Sequence, residues 1–134
     1  MEMELFEPYH IGTKFVFLIT PEVRDKMKGN EHLQEVIDSV LVEISNLPEL
    51  SIGNCLISVS LERDIELSDW EEILVSVQVE ERSFVEKMKL WEAIEQKVRG
   101  KIEDIRGQCD TDEEKRVIDE INQDLAIEVV ERAF

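Results

Sequence analysis

The sequence predicts an α+β domain in which amphipathic helices pack against a small antiparallel β-sheet. Two stretches between residues 55 and 80 alternate apolar and polar side chains, which is typical of strands with one buried face. The stretches on both sides repeat apolar residues every three or four positions, as helices with one buried face do. Because no linker, internal repeat or low-complexity tract interrupts the 134 residues, we expect a single domain over 1–134.

The first fifty residues predict an irregular arm, a short apolar run and two helices. Residues 1–13 show no clear period and are interpreted as an irregular N-terminal arm. The run over 15–19 fits a buried strand or part of a helix, and its length and β-branching favour a strand. Thr20 before Pro21 is a helix-start signal, and Asn30 can begin a second helix whose apolar residues lie on one face.

A β-hairpin is the clearest feature of the chain. Residues 55–61 and 73–79 both alternate with a period of two, so we expect them to be antiparallel neighbours. With a third strand over 15–19, the sheet would have three strands. The connector 62–72 is acidic and longer than a tight turn, which leaves open whether it binds a cation. The residues predicted to face the core are Ile57, Val59, Val75 and Val77.

Two further helices are predicted after the hairpin. Ser83 with Glu86, and Thr111 with Glu114, have the spacing of capping boxes. Gly100 lies inside the first helix and would permit a kink or an early end. The last helix carries more apolar residues than one stripe requires, so we expect it to pack on two sides or against another chain. The stripe predicted for the first helix is Phe84, Met88, Trp91, Val98, Ile102 and Ile105. The residues that widen the last stripe are Ala126, Ile127 and Val130.

The charge restricts the class of partner. The chain has 32 acidic and 15 basic residues, a net charge of −17. Nucleic acids and anionic membrane surfaces would repel it, because affinity for both comes mainly from Lys and Arg. We therefore expect no binding to nucleic acid or membrane. A basic protein, a cation or simple solubility is compatible with the charge, and charges on solvated helix faces that keep a small domain soluble are the simplest interpretation.

No pattern of residues predicts a catalytic or metal site. His10 and His32 have no Cys, Asp or Glu at a recurring ligand spacing, and no nucleophile motif or glycine-rich phosphate loop occurs. Helix capping and solvated surfaces account for the carboxylates. We therefore expect no enzyme and no cofactor, with a carboxylate-dependent metal hydrolase as the competing class. Cys55 and Cys109 are expected to be reduced thiols of a cytoplasmic protein.

The segment from Asp69 to Val75, followed by Phe84 to Trp91, resembles a strand-then-helix tract in small uncharacterised archaeal-type proteins. The resemblance lies within residues 69–91. It implies no activity and no functional residue.

The function predicted from these observations is a non-enzymatic protein-interaction domain that self-associates, most simply as a homodimer. Trp70 fits either a hairpin-closing anchor or an interface residue surrounded by acid. The alternative function is an antitoxin-like or nucleic-acid-mimicking acidic antagonist of a basic partner protein. The candidate interface residues are Trp70, Ile127, Val130 and Phe134.

Overall fold

A computed structural model gives the structure of the chain and describes residues 6–9, 17–50, 54–63 and 71–132. Ten elements follow one another in these ranges, and none of the helices there is long and apolar enough to cross a membrane. The elements are β1 (Glu7–Tyr9), β2 (Phe17–Ile19), α1 (Pro21–Lys28), α2 (Glu31–Ser45), a single 3₁₀ turn (Pro48–Leu50), β3 (Cys55–Arg63), β4 (Glu71–Val79), α3 (Phe84–Gly107), α4 (Asp112–Asp124) and β5 (Leu125–Glu131).

The described strands form one five-stranded mixed sheet in the order β1-β2-β3-β4-β5. The pairs β1/β2 and β3/β4 are antiparallel, whereas β2/β3 and β4/β5 are parallel. The chain therefore contains two β-α-α-β units, β2-α1-α2-β3 and β4-α3-α4-β5. The two strands of each unit are parallel, and the β3–β4 hairpin joins the units. The α+β class is confirmed. A sheet of two or three strands understates it, because two strands at the sheet edges were missed.

All four helices pack on the same face of the sheet and share one hydrophobic core with it. Both parallel crossovers advance across the sheet in the same direction, but they start from strands that run in opposite directions. Two such connections over one face must have opposite hands. One of them is therefore left-handed, which is rare for parallel strands.

The β3–β4 hairpin is antiparallel and buries the predicted face. Ile57 lies opposite Val77 and Val59 lies opposite Val75, and all four side chains are at most 1% exposed. The polar face is less solvated than the alternation predicts: in the Ser58–Ser76 cross-strand pair the two residues are only 5% and 7% exposed. Because serine is short, the longer side chains beside it on neighbouring strands can shield it.

The predicted irregular arm 1–13 is wrong in part, because β1 lies inside it. This strand has only three residues and carries Pro8 opposite Leu18. A proline interrupts the ladder on one side, which an edge strand tolerates. Tyr9 ties β1 to α2 by donating its hydroxyl hydrogen to Asp38 Oδ1 at 2.5 Å. Three residues without alternation carry too little local signal to be recognised as a strand.

The structure corrects the predicted C-terminal helix. Helix α4 ends at Asp124, and β5 begins at Leu125 with no connecting loop. The surplus of apolar residues belongs to a strand: Leu125 and Ile127 face the core, while Ala126 and Val130 lie on the other face. Leu125 and Val129 fit a helical spacing as well as a strand alternation, which made the helix seem longer than it is.

Helix α3 is continuous through Gly100, which is exposed. Its predicted stripe is only half right. Three members predicted as core, Phe84, Met88 and Trp91, are exposed. The residues that α3 buries are Leu90, Ile94, Val98, Ile102 and Ile105.

Candidate interaction surface

Four large apolar side chains stand on the first two turns of α3, and we call them the α3 patch. They are Phe84 at 73%, Val85 at 60%, Met88 at 39% and Trp91 at 37% exposed. In the part of the chain that the structure describes, Phe6 at 39% is the other large apolar residue that is exposed. Phe84, Met88 and Trp91 follow steps of four and three residues, so they lie on one side of the helix. The α3 patch is therefore a contiguous apolar surface.

The local sequence starts α3 before the chain reaches the core. The Ser83 hydroxyl accepts a hydrogen bond from the Glu86 backbone N–H at 3.2 Å, which caps the helix after a short link from β4. The first residue of α3 to be buried is Leu90. The apolar side chains of the first turns consequently have no place in the monomer core.

The α3 patch is held against the edge strand β5. The Trp91 indole Nε1–H donates a hydrogen bond to the Ile127 backbone oxygen at 3.1 Å. One turn earlier, Lys87 Nζ lies 3.7 Å from Glu131 Oε1. A buried or half-buried indole N–H needs an acceptor, and Trp91 finds one on β5 instead of in the core. These contacts hold the patch in place within the single chain.

Arg99 continues the attachment of α3 along β5. Its guanidinium donates to the backbone oxygens of Asn122 and Leu125, each at 2.7 Å, and its Nε lies 3.1 Å from Glu95 Oε2. Helix α4 has no basic residue in its own last turn. Arg99 supplies the missing donor and positive charge where α4 changes directly into β5.

These contacts also protect the outer edge of the sheet. The backbone oxygens of Leu125 and Ile127 accept hydrogen bonds from α3 side chains. An unprotected edge strand would offer such groups to another chain. Addition of a strand from another molecule would have to displace Trp91 and Arg99, so the first half of β5 is not a free edge.

The structure does not bring the predicted interface residues together. Ile127 is buried within the chain at 8% exposure. Val130 is half-buried on the sheet face opposite the helices. Trp70 and Phe134 lie outside the described residues. Three of the four residues of the α3 patch, Phe84, Met88 and Trp91, were predicted to lie on the buried stripe of the helix. The signal in the sequence against this was the early Ser83 cap, because it starts the helix six residues before its first buried residue.

The local charge of the α3 patch differs from that of the whole chain. Between Phe84 and Glu92 there are two acidic residues, Glu86 and Glu92, and two basic residues, Lys87 and Lys89. The patch is therefore locally neutral in a chain of net charge −17. Many of the other basic residues are already paired, as in the contact of Arg106 with Asp119 at 2.8 Å.

The described ends of the acidic connector are bound to α1. Lys26 Nζ lies 2.5 Å from Glu71 Oε1, and Arg63 contacts Glu22 at 3.2 Å and Glu71 at 3.7 Å. The hydrogen bond from Lys26 is the main cause that lowers the pKa of Glu71 below its ordinary value. These carboxylates join the hairpin to the helix layer. The connector residues 64–70 lie outside the described ranges, so the question of a cation there stays open.

The two cysteine thiols are less acidic than an ordinary thiol. Burial raises the pKa of the Cys55 thiol to about 11, and burial followed by the Glu114 charge raises the pKa of Cys109. Both thiols are therefore protonated at neutral pH, whereas a reactive cysteine needs a lowered pKa. His32 Nε2 lies 3.9 Å from Glu114 Oε2, which is too far for a hydrogen bond. In ranges 6–9, 17–50, 54–63 and 71–132, no three His, Cys, Asp or Glu residues are grouped to hold a metal ion.

A cavity of about 490 Å³ lies beside β1, between α1 and α2. Arg24 and Lys28 supply the cationic part of its wall. Arg24 lies 3.4 Å from Glu7 Oε2 and donates to the Pro8 backbone oxygen at 3.1 Å. Burial, and then the hydrogen bond with Asp38, raises the pKa of Tyr9 in the same wall. The contacts of Arg24 and Tyr9 hold β1 in place.

Comparison with known proteins adds no family. No family model, curated protein or solved structure matches the chain. These comparisons neither support nor contradict the resemblance proposed for residues 69–91. Any function must therefore be argued from the geometry of the chain itself, in which the α3 patch is the most developed surface for binding.

Proposed function

We propose that this protein is a non-enzymatic protein-interaction domain that binds its partner through the α3 patch. The observation that carries the proposal is the exposure of Phe84, Val85, Met88 and Trp91 on adjacent turns of one helix. Contiguous apolar surface on a soluble domain usually marks a site of contact. The Trp91 bond to β5 supports the same role, because an ordered surface loses less entropy when it binds.

The charge and the cysteines support two further parts of the proposal. Both cysteines are free, which suits a reducing compartment, and we place the domain in the cytoplasm on that ground. The net charge of −17 supports the absence of nucleic-acid and membrane partners. It also supports the alternative of an acidic antagonist of a basic protein, although the local neutrality of the α3 patch does not favour it.

The proposal can be tested by site-specific photocrosslinking in living cells. A photoreactive amino acid at position 84 should form a discrete adduct with a partner protein. The matched control is the same amino acid at position 120, since Glu120 is exposed on α4. A discrete adduct from position 84 alone supports the proposal. Equal labelling from the two positions, or none from either, would overturn it.

A further inference from the structure

We propose that the partner is a second copy of this chain, with the two α3 helices packed side by side in parallel about a two-fold axis. This inference rests on the function proposed above. Most soluble homo-oligomers are dimers of this symmetry. The contact would be made by the α3 patch on both copies.

The apolar residues of the α3 patch have the spacing of a helix pair. Phe84, Met88 and Trp91 take the positions d, a and d of a heptad, which is the seam of a helix pair. The next seam position is Glu95, which is bound to Arg99 within the same chain. The apolar seam therefore covers two turns only, and the two helices separate beyond Trp91.

Residues of opposite charge lie on the two sides of the seam. Lys87 occupies position g on one side, and Glu92 occupies the following position e on the other. In a parallel pair, g of one helix faces the following e of the other, so two Lys87–Glu92 ion pairs would form between the copies. In an antiparallel pair, g faces g and e faces e, which would place like charges together. The pattern is therefore complementary to itself in the parallel arrangement.

The charge of the α3 patch favours a second copy over a basic protein as the partner. The whole chain at −17 attracts cations, but a basic segment placed on the α3 patch would meet Lys87. A second copy presents the balanced charges that the patch itself carries. The distant acidic residues still repel, and salt screens that repulsion beyond about 10 Å at 0.1 M ionic strength.

The size of the patch predicts a weak dimer. A standard interface buries about 800 Å² on each partner, and four side chains on two turns supply only part of that. Lys87 must also exchange its intrachain contact with Glu131, which is long at 3.7 Å. We expect a monomer–dimer equilibrium that depends on concentration and tightens with moderate salt, because repulsion between the acidic surfaces is screened.

Sedimentation equilibrium of the full chain, over a wide concentration range at moderate salt, tests the inference. Lys87→Glu and Glu92→Lys should each weaken the dimer about tenfold, and the double variant should recover most of the loss. Lys89→Glu is the matched control, because it makes the same charge change at an exposed position outside the seam. Unchanged circular dichroism spectra and melting temperatures would show that the variants fold.

Three outcomes would overturn the inference: a monomeric wild type at all concentrations, equal effects of Lys87→Glu and Lys89→Glu, or no recovery in the double variant. These results are distinct from failure of the proposed function. If crosslinking at position 84 captures a different protein while the chain is monomeric, the interaction domain stands and the second copy is excluded. If position 84 captures nothing above its control, both fail.

Discussion

The two ends of α3 place similar side chains in different environments. From Leu90 onward the helix buries one residue on almost every turn, and Ile94 and Val98 are fully inaccessible. Before Leu90 the helix carries Phe84 and Met88 in the open. The difference is one of position relative to the sheet, because both ends have apolar residues at helical spacing. A stripe of apolar residues at helical spacing therefore does not show by itself whether those residues are buried in the core or exposed at the surface.

The largest expected effect separates the two ends by stability. Ile94→Ala should lower the free energy of unfolding by about 2–5 kcal/mol, because it removes buried surface and leaves a cavity. Met88→Ala should change it by less than about 0.5 kcal/mol, as surface substitutions usually do. Urea unfolding of dilute protein measures both. A Met88→Ala loss as large as that of Ile94→Ala would place the α3 patch in the monomer core.

The attachment of α3 to β5 forms the boundary between its two ends. Arg99→Met should cost about 1.5–3 kcal/mol, the range for hydrogen bonds to charged groups. Arg116→Met is the control, since Arg116 is exposed and makes only a 3.7 Å contact with Glu113. Hydrogen exchange should show the loss of protection concentrated in β5. A loss spread evenly over the sheet would contradict the role assigned to Arg99.

The continuity of the helix can be sharpened at Gly100. Gly100→Ala should raise the free energy of unfolding by about 0.5–1 kcal/mol, because alanine has the higher helix propensity and an added Cβ meets nothing within 4 Å. Lys97→Gly, at an exposed position one turn earlier, should change stability by a similar amount in the opposite direction. Destabilisation by Gly100→Ala would indicate a contact at this site that the structure does not contain.

The smallest effect lies away from α3, where the hairpin meets α1. The pKa of Glu71 is lowered in the folded protein, so its ion pair with Lys26 stabilises the fold above the ordinary pKa of a glutamate. This contribution is lost as the pH falls through the lowered pKa. Glu71→Gln should therefore destabilise the protein at neutral pH by less than about 1 kcal/mol and converge with the wild type in acid.

Urea unfolding at several pH values measures that difference. Glu120→Gln removes an exposed carboxylate from α4 and serves as the control. A Glu71→Gln deficit that persists unchanged below the lowered pKa of Glu71 would show that the side chain acts by packing and not by charge.

Local features of the fold could be read from the sequence. The Thr20, Asn30, Ser83 and Thr111 side chains cap the helices that they were predicted to start. The buried face of the β3–β4 hairpin follows from alternation, because a shift of one residue would turn every buried side chain outward. These features depend on residues within one turn of helix or on two neighbouring strands. The proposed interaction surface did not follow in this way, since the residues of the α3 patch have the same spacing as a core stripe.

Non-local pairing decided the rest. Strand β5 lies parallel to β4, more than forty residues earlier in the chain, and its edge is completed by Trp91 and Arg99 from α3. The sequence LAIEVV continues a helical spacing from α4 as readily as it alternates. A longer helix would have satisfied the backbone N–H and C=O groups of these residues internally. In the strand, these groups are satisfied by the edge of β4 on one side and by the Arg99 guanidinium on the other, and that pairing favours the strand.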